Sequence, residues 1–420
     1  MSYKVAYISP INYPNPSATA LATMHMAAAF AKETNDGNLF VGHVTGPEAR
    51  IRYEYNIADS PVRFWSLHSK CWLGPINRLA KPSAWTRAKI YNSAIAAILT
   101  LNPAWRQPKE QRRICFIRTP MEAMYWGLFR SYFAHLRDWV FVFEMHDMVI
   151  TTNDDGTRSS LRQNMRVQKA VLSFDLVTTV ADGIAQDMES FSSGVVRPVV
   201  VPQATTISPL PTPPTVDMNR REGRITLGYV GTIDQMRGVD DLLRSLRFLP
   251  DHFRLRLVGR FRHGQPGEAP PRWFTSLLSD PAIGHKVDLV SHVPLSDAAD
   301  QIDAADIVIQ PAGLNDMYSR YAAPLKLLNY MARGKPIVAA CVPSHLAYLQ
   351  DGVNSRMYRA GDPEDLAACV MSIVEQPRLA DQISNAAWKQ SANHTYSSRA
   401  RHVLRLVEEV YERRDTRSPD

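Results

Sequence analysis

A lysine lies where a helix is predicted to begin, in the stretch Ala323-Pro324-Leu325-Lys326 that runs on to Gly334. Proline is favoured in the first turn of a helix and glycine just after the last one, so a helix is predicted over residues 324–333. A lysine in a first turn opposes the helix dipole unless an anion is bound there. Free backbone N–H groups and the Lys326 ammonium would then hold a phosphate together. Asn329 follows on the same face. A surface lysine tolerated at small cost is the alternative.

A second cation, Arg237, follows a predicted strand that ends in Tyr229-Val230-Gly231-Thr232. The glycine turns the chain and Arg237 precedes a predicted helix, which places it at the carboxyl end of a parallel strand. Ligands of α/β sheets bind at that end, and arginine can hold a phosphate through two hydrogen bonds. The loop is not a Walker A motif, because no Lys-Ser or Lys-Thr pair follows its second glycine.

His146 follows an apolar run, Val140–Met145, and is therefore expected at the carboxyl end of another strand. A structural histidine, or Asp147 acting as the cap of the next helix, explains the pattern equally well. His25 lies on an alanine-rich helix that is apolar nearly all round, so a core role is predicted for it.

Short β-rich runs alternate with helical stretches, which predicts parallel sheets covered by helices on both faces. In the first half, strands are predicted at Tyr3–Ile8, Asn38–Val44, Arg113–Arg118, Trp139–Met145, Leu176–Val180 and Val195–Val201, and helices at Ala18–Ala31, Ser83–Leu99 and Leu161–Ser173. In the second half, strands are predicted at Ile225–Val230, Phe253–Val258, Val287–Val293, Asp306–Gln310 and Pro336–Ala340, and further helices from about Gly238 and from Pro363 to about Arg413.

A proline-rich linker divides this alternation in two. Proline density of this kind stiffens a connection and marks a domain boundary. We predict an N-terminal domain over residues 1–205, a linker over 206–224, a second domain over 225–395, and a terminal helix with a tail over 396–420. Two similar α/β halves imply one cleft between them, where a ligand would bind.

Composition is that of an ordinary soluble globular protein: 45% of the 420 residues are hydrophobic and 21% are charged. The four cysteines are widely separated, which favours reduced thiols over disulfides or a zinc site. No signal segment precedes the first strand, and no apolar run reaches the roughly 18 residues that a membrane span needs. A cytoplasmic location is therefore expected.

Between Arg63 and Arg113 the chain carries ten Lys or Arg residues and a single acid, Glu110, together with four tryptophans. Basic residues interleaved with Trp suit contact with anionic lipid headgroups, so an acceptor or lipid contact is predicted at Arg78, Lys81, Arg87 and Lys89. A solvated face with a few core aromatics explains the same composition. No helix-turn-helix, RRM or zinc-finger pattern accompanies the charge, so nucleic acid is not expected as a partner.

Several motifs in order resemble glycosyltransferase family 4. They are Tyr229-Val230-Gly231-Thr232 through Arg237-Gly238-Val239-Asp240, Pro324-Leu325-Lys326-Leu327 with Tyr330-Met331-Ala332-Arg333-Gly334, Gly361-Asp362-Pro363-Glu364-Asp365-Leu366 and Phe143-Glu144-Met145-His146-Asp147. The resemblance covers both halves and is strongest from Ile225 to about Tyr411. It implies a GT-B fold, two Rossmann-like domains facing a central cleft, with the last helix crossing back onto the first domain.

The resemblance also implies transfer of a sugar from a nucleotide-diphosphate donor, with retention at the anomeric carbon and with no cofactor or metal. By match, Arg237 and Lys326 would neutralise the leaving diphosphate, and His146 would hydrogen-bond the donor sugar. The other donor contacts would come from Gly231, Thr232, Val293, Ala323, Pro324, Leu325 and Asn329.

The chain departs from the family pattern at two places. The glutamate that normally binds the ribose hydroxyls is replaced by Asn329, which offers only a neutral amide oxygen. The glycine-rich loop before the first helix is replaced by Pro16-Ser17-Ala18. These departures put donor closure and nucleotide affinity in question.

Three functions follow as hypotheses. The first is transfer of a hexose to a cell-envelope or lipid-linked glycan acceptor, by an enzyme that is peripheral on the inner face of the membrane. The second is transfer to a soluble small-molecule or natural-product acceptor. The third, motivated by Asn329, is a catalytically weak nucleotide-binding partner subunit. The base, the sugar and the acceptor are not encoded in these motifs.

Overall fold

The computed structural model describes residues 2–15, 17–66, 84–105, 111–146, 151–152, 158–159, 170–213, 215–216, 223–262, 269–291, 293–314 and 316–416. The chain divides into two compact units. Unit 1 comprises residues 1–202 and 396–420, and unit 2 comprises residues 203–395.

Unit 1 is built on a seven-stranded, wholly parallel sheet in the order β11-β10-β7-β6-β1-β3-β5. Its strands are β1 (Tyr3–Ile8), β3 (Gly37–Val41), β5 (Arg63–Ser66), β6 (Arg112–Ile117), β7 (Val140–Met145), β10 (Leu176–Thr179) and β11 (Val199–Val200). Two small pairs lie outside it, the parallel β2 (Asn12–Tyr13) with β4 (His43–Val44) and the antiparallel β8 (Thr151–Thr152) with β9 (Arg158–Ser159).

The helices of unit 1 are α1 (Ala18–Thr34), α2 (Glu48–Glu54), α3 (Ala84–Leu101), α4 (Pro120–Tyr132), α5 (Asp182–Phe191) and α15 (Tyr396–Asp415). The α1 helix begins after Ser17, whose side chain accepts a hydrogen bond from the Ala20 N–H. It packs on the sheet through edge-to-face contacts of Phe30 with Tyr7 and Phe116.

The last helix, α15, completes unit 1 although it follows unit 2 in the chain. It packs against α1, β7 and β10. The Tyr411 hydroxyl exchanges hydrogen bonds with the backbone of Arg113 at 2.8 and 2.9 Å. The buried Arg399 guanidinium contacts the Glu144 carboxylate and donates to the carbonyl of Pro202 at 2.6 Å. Unit 1 therefore needs both chain segments to form its core.

Unit 2 is a six-stranded parallel sheet in the order β14-β13-β12-β15-β16-β17. Its strands are β12 (Ile225–Val230), β13 (Phe253–Val258), β14 (Val287–Val290), β15 (Ile307–Gln310), β16 (Ile337–Ala340) and β17 (Arg356–Tyr358). Its helices are α6 (Val239–Ser245), α7 (Arg272–Leu278), α8 (Pro281–Gly284), α9 (Leu295–Asp303), α10 (Asp316–Tyr321), α11 (Leu325–Ala332), α12 (Pro343–Leu346), α13 (Pro363–Glu375) and α14 (Pro377–Ser391). The central strands carry fully buried aliphatic side chains, such as Leu227, Leu255 and Ile307.

The predicted parallel α/β architecture is confirmed in both halves. Tyr3–Ile8, Ile225–Val230 and Phe253–Val258 form strands with the predicted bounds. The run predicted as a strand over Val195–Val201 forms only the two-residue β11, and several elements, among them β5, β17, α2, α4 and α5, were not predicted. Most of the helix predicted at Leu161–Ser173 lies outside the described residues.

Among the described helices, none is both long enough and apolar enough to cross a membrane.

We expect Arg399→Gln to destabilise the protein by about 3 kcal/mol, because it leaves the buried Glu144 carboxylate without the guanidinium that contacts it. Denaturant unfolding followed by tryptophan fluorescence measures the change. The control is Arg401→Gln on the same helix, where a half-exposed arginine pairs with Glu33 at 2.9 Å and the expected loss is about 0–1 kcal/mol. Equal losses in the two variants would contradict a structural role for the Arg399–Glu144 pair.

Candidate functional site

The turn after β12 forms the floor of the candidate site in unit 2. Gly231 turns the chain with a φ of 152°, and a Cβ built on it would lie 2.4 Å from Cδ of Lys326. Glycine at this position therefore leaves room for the lysine side chain. The Tyr229 hydroxyl donates to the Thr232 carbonyl at 2.6 Å, which fixes the tyrosine at the end of the strand.

Lys326 reaches this floor from the first turn of α11. The helix begins at Leu325, after Pro324 at the cap position, and no side chain of the described residues caps it. The Lys326 ammonium donates to the Tyr229 hydroxyl at 2.7 Å and lies 4.1 Å from the centre of the Tyr229 ring. The Tyr330 hydroxyl accepts from the Val230 N–H at 3.0 Å, which ties α11 to the end of β12.

Among the residues that the structure describes here, three cations and one carboxylate meet at this strand end. The half-buried Arg237 follows the turn, and its charge acts on Lys326. Burial and the Arg237 charge hold the pKa of Lys326 well below its usual range, while Asp234 acts in the opposite sense. Asp234 itself pairs with Arg262 at 3.0 Å. The excess of positive charge beside an uncapped helix start suits a bound anion of the size of a diphosphate.

The structure thus brings together Gly231, Thr232, Arg237, Pro324 and Lys326, which were predicted separately along the sequence. Ala323 and Leu325 lie at the same helix start, where the Leu325 N–H donates to the Ala323 carbonyl at 2.9 Å. Val293 is partly buried beyond the end of β14. The donor contacts assigned to these residues stay predictions.

Asn329 is buried one turn after Lys326, and its amide oxygen accepts from three donors of the segment with which unit 2 begins. They are the Thr205 hydroxyl at 2.9 Å, the Thr206 N–H at 3.0 Å and the Thr206 hydroxyl at 3.3 Å. The amide NH₂ donates back to Thr206 at 3.1 Å. The oxygen that a ribose hydroxyl would use is therefore engaged by the protein, and the ribose contact stays a prediction that requires an exchange of partners.

In unit 1, His146 lies at the end of β7 as predicted, partly exposed and held on both ring nitrogens. Its Nε2 is 2.5 Å from Glu144 Oε1, and its Nδ1 is 3.3 Å from Nη2 of Arg118. Burial and Arg118 lower the pKa of His146 to about 4, so the ring is neutral near pH 7. A neutral ring between a carboxylate and a guanidinium must carry its proton on Nε2 and accept at Nδ1. The hydrogen bond to a donor sugar stays a prediction, because neither ring nitrogen is unoccupied.

Most of the basic cluster predicted as an acceptor or lipid contact lies outside the described residues, so this contact stays a prediction. Arg78 and Lys81 lie outside them, as does Asp147, and nothing is described of the Arg87 side chain. Lys89 lies exposed on α3. His25 packs as predicted, with its ring stacked on Tyr396 at 5.3 Å and its pKa lowered by burial to about 4.

Sequence reasoning missed five residues of these sites. Arg118 follows the apolar strand β6, and Gln310 is the last residue of β15. His146 was selected because it follows an apolar strand, and the same criterion would have selected these two residues. Gln310 donates to the neutral His345 ring, 3.3 Å away. The other three residues lie inside apolar runs; they are Tyr229, Tyr330 and Glu144. A tyrosine in such a run suggests core packing, and no sequence pattern shows that these side chains make polar contacts.

Residues 224–376 match the model of the family described as glycosyl transferases group 1. The D-inositol 3-phosphate glycosyltransferase of Streptosporangium roseum is 29% identical over 177 residues, which are 41% of this chain and 39% of that protein. The D-inositol 3-phosphate glycosyltransferase 1 of Catenulispora acidiphila is 26% identical over 190 residues, 44% of each protein. The chain thus spans less than half the length of these curated relatives.

Solved structures resemble the chain over nearly its full length. Sucrose-phosphate synthase from Thermosynechococcus elongatus matches with a TM-score of 0.70, at 15% identity, over 98% of this chain and 99% of that one. HepE from Anabaena, solved with UDP and glucose, matches with a TM-score of 0.67, at 14% identity, over 97% of this chain and all of that one. The likeness confirms the predicted GT-B fold, with one parallel-sheet α/β domain in each unit.

The depressed pKa of Lys326 predicts that anion binding takes up a proton. A bound anion favours the charged amine, so affinity is highest at low pH and falls as pH rises through the pKa of free Lys326. Calorimetric titration with pyrophosphate at mildly alkaline pH, in two buffers of different ionisation enthalpy, measures the uptake. Lys326→Arg is the control, because arginine is always charged and reports only the protonation of pyrophosphate itself. Equal uptake by both proteins would exclude Lys326 as the group that titrates.

Proposed function

We propose, from the match of residues 224–376 to the model of the family described as glycosyl transferases group 1, that this chain is a glycosyltransferase with a nucleotide-diphosphate sugar as donor. The observation that carries the proposal is the pair of cations, Lys326 and Arg237, at the end of β12. HepE was solved with UDP and glucose, so UDP-glucose is the first donor to test. The Asn329 oxygen already accepts hydrogen bonds from the protein, so we expect it to bind the ribose more weakly than a carboxylate would.

The proposed reaction exchanges one glycosidic bond for another. The bond from the anomeric carbon to the β-phosphate oxygen breaks, and a bond from the same carbon to an acceptor hydroxyl oxygen forms. The acceptor proton is released, and the bonding electrons leave with the nucleoside diphosphate. Lys326 and Arg237 stabilise the charge that grows on this leaving group. Retention at the anomeric carbon and independence of metal are parts of the proposal.

Two acceptor classes have support. A cell-envelope or lipid-linked acceptor, used at the inner face of the membrane, is supported by the basic, tryptophan-containing segment Arg63–Arg113. A soluble small-molecule acceptor is supported by the names of the relatives, which are D-inositol 3-phosphate glycosyltransferases.

Either Arg237→Ala or Lys326→Ala should lower kcat for glycosyl transfer or donor hydrolysis by about 100-fold, since each removes a cation from the leaving group. Release of free nucleotide from UDP-glucose and other nucleotide sugars is the measurement. Arg244→Ala is the matched control, because this arginine makes a surface pair with Asp240 on α6. Unchanged turnover in both variants, or loss of wild-type activity in EDTA, would contradict the metal-free cation pair. Wild-type protein that binds nucleotide but never turns over would support the partner-subunit alternative.

Reversal of the basic cluster to Glu should weaken binding to vesicles that contain anionic lipid, while nucleotide affinity stays unchanged. The four positions are Arg78, Lys81, Arg87 and Lys89. A control reverses four other cations of unit 1, namely Lys32, Arg50, Arg197 and Arg401. Cosedimentation at low and high salt measures the affinity. Wild-type protein that ignores the vesicles at low salt would favour the soluble acceptor.

A further inference from the structure

Arg118 is a buried cation of unit 1 that shares its counter-ion. Its side chain, which follows β6, is 6% exposed. Its Nε lies 3.9 Å from Glu144 Oε1, the carboxylate with which it pairs among the described residues. Glu144 uses that same oxygen for His146 at 2.5 Å and its other oxygen for Arg399. Arg118 is thus the more weakly paired of the two buried arginines.

The charges of this cluster do not cancel. Burial by itself would raise the pKa of the Glu144 carboxyl. Its neighbours lower that pKa by more than burial raises it, so the carboxylate is ionised; these neighbours are Arg399, His146 and Arg118. His146 is neutral, and so is His25, whose pKa burial lowers to about 4. Among the described residues of this cluster, two guanidinium groups therefore face one carboxylate. An uncompensated buried cation is costly unless a ligand supplies the missing charge.

Polar groups around Arg118 are poorly satisfied, and the Tyr7 hydroxyl lies beside Thr23 and Arg118 itself. Among the described residues, the buried hydroxyls of Tyr7, Thr23 and Tyr396 make no hydrogen bond of normal geometry, and neither does Nε of Arg118. Burial raises the pKa of both tyrosines, and the charge of the nearby Arg118 opposes that rise. Folded cores normally satisfy such groups. Here they gather at the carboxyl ends of β1 and β6, where parallel sheets bind ligands.

We propose that Arg118 binds an anionic group, a phosphate or a carboxylate, carried by the acceptor substrate, and that the neighbouring hydroxyls bind polar groups of the same ligand. The assignment to the acceptor rests on the proposed glycosyltransferase function, whereas the anion site itself does not. A guanidinium matches either oxyanion with two hydrogen bonds. An uncharged analogue would leave the cation buried and unpaired, so the site selects against it.

The first experiment compares the two buried arginines by thermal unfolding without added ligand. Arg118→Gln should leave the midpoint unchanged or raise it, because the substitution removes a charge that the ligand-free protein does not balance. Arg399→Gln should lower the midpoint. A loss in Arg118→Gln as large as that in Arg399→Gln would show that Arg118 is a structural ion-pair partner, and would overturn the proposal.

The second experiment measures anion binding in a protein that carries Arg237→Ala and Lys326→Ala, so that the cation pair of unit 2 does not contribute. Inorganic phosphate and acetate are the probes, and the rise in the unfolding midpoint is the readout. We expect at least one probe to give a saturable rise, with an apparent affinity at least tenfold weaker after Arg118→Gln. The exposed control Arg50→Gln should retain it. The stronger probe identifies the anion, and equal responses of the two arginine variants to both probes would overturn the proposal.

Different results would contradict the anion site at Arg118 and the proposed glycosyltransferase function. UDP binding by the protein with Arg118→Gln alone should match that of wild type, because the nucleotide is assigned to unit 2. Loss of UDP binding in that variant would overturn the assignment of Arg118 to the acceptor. Anion binding that depends on Arg118, in a protein that never turns over a nucleotide sugar, would support the anion site and contradict the glycosyltransferase function.

Discussion

Unit 1 depends on the contacts that the Glu144 carboxylate makes with side chains outside its own strand. The carboxylate is almost fully buried at the end of β7, and it holds Arg399 from α15 and the imidazole of His146. The first contact joins the last helix to the sheet. The second fixes the His146 proton on Nε2, which orients the ring at the strand ends. Because the carboxylate is shared, the described residues balance the charge of Arg118 only in part.

In unit 2 the buried amine is held by a neutral side chain and not by a carboxylate. The Lys326 ammonium is held by the hydroxyl and ring face of Tyr229, and the carboxylate nearby, Asp234, is committed to Arg262. Tyr229 fixes the position of the amine without neutralising it. In both units, therefore, side chains are positioned rigidly while a positive charge is left for a ligand. Such arrangements lower the stability of the free protein and are typical of binding sites.

The fold was predictable because apolar runs and helix signals alternate regularly. Strands with continuous buried residues, such as Ile225–Val230, were located with their observed bounds, whereas the edge strand β5 has only two partly buried side chains and gave no such signal. The cations Arg237 and Lys326 were found because each stands at the boundary of an element. The Tyr229 hydroxyl that holds Lys326 and the Glu144 carboxylate that holds His146 both lie within strands. Which way such a side chain turns is decided by tertiary packing, which no local pattern encodes.

The return of α15 to unit 1 has a consequence for synthesis on the ribosome. Unit 2 is one continuous stretch of chain and has been synthesised completely before residues 396–415 are made. Unit 1 begins first but must wait for Arg399, since until then the carboxylate of Glu144 lacks that cation. The second unit is thus complete before the first, the reverse of the usual vectorial order. A nascent chain that stops short of α15 leaves uncovered the face of α1 that this helix packs against, and exposed apolar surface of this kind is what chaperones bind.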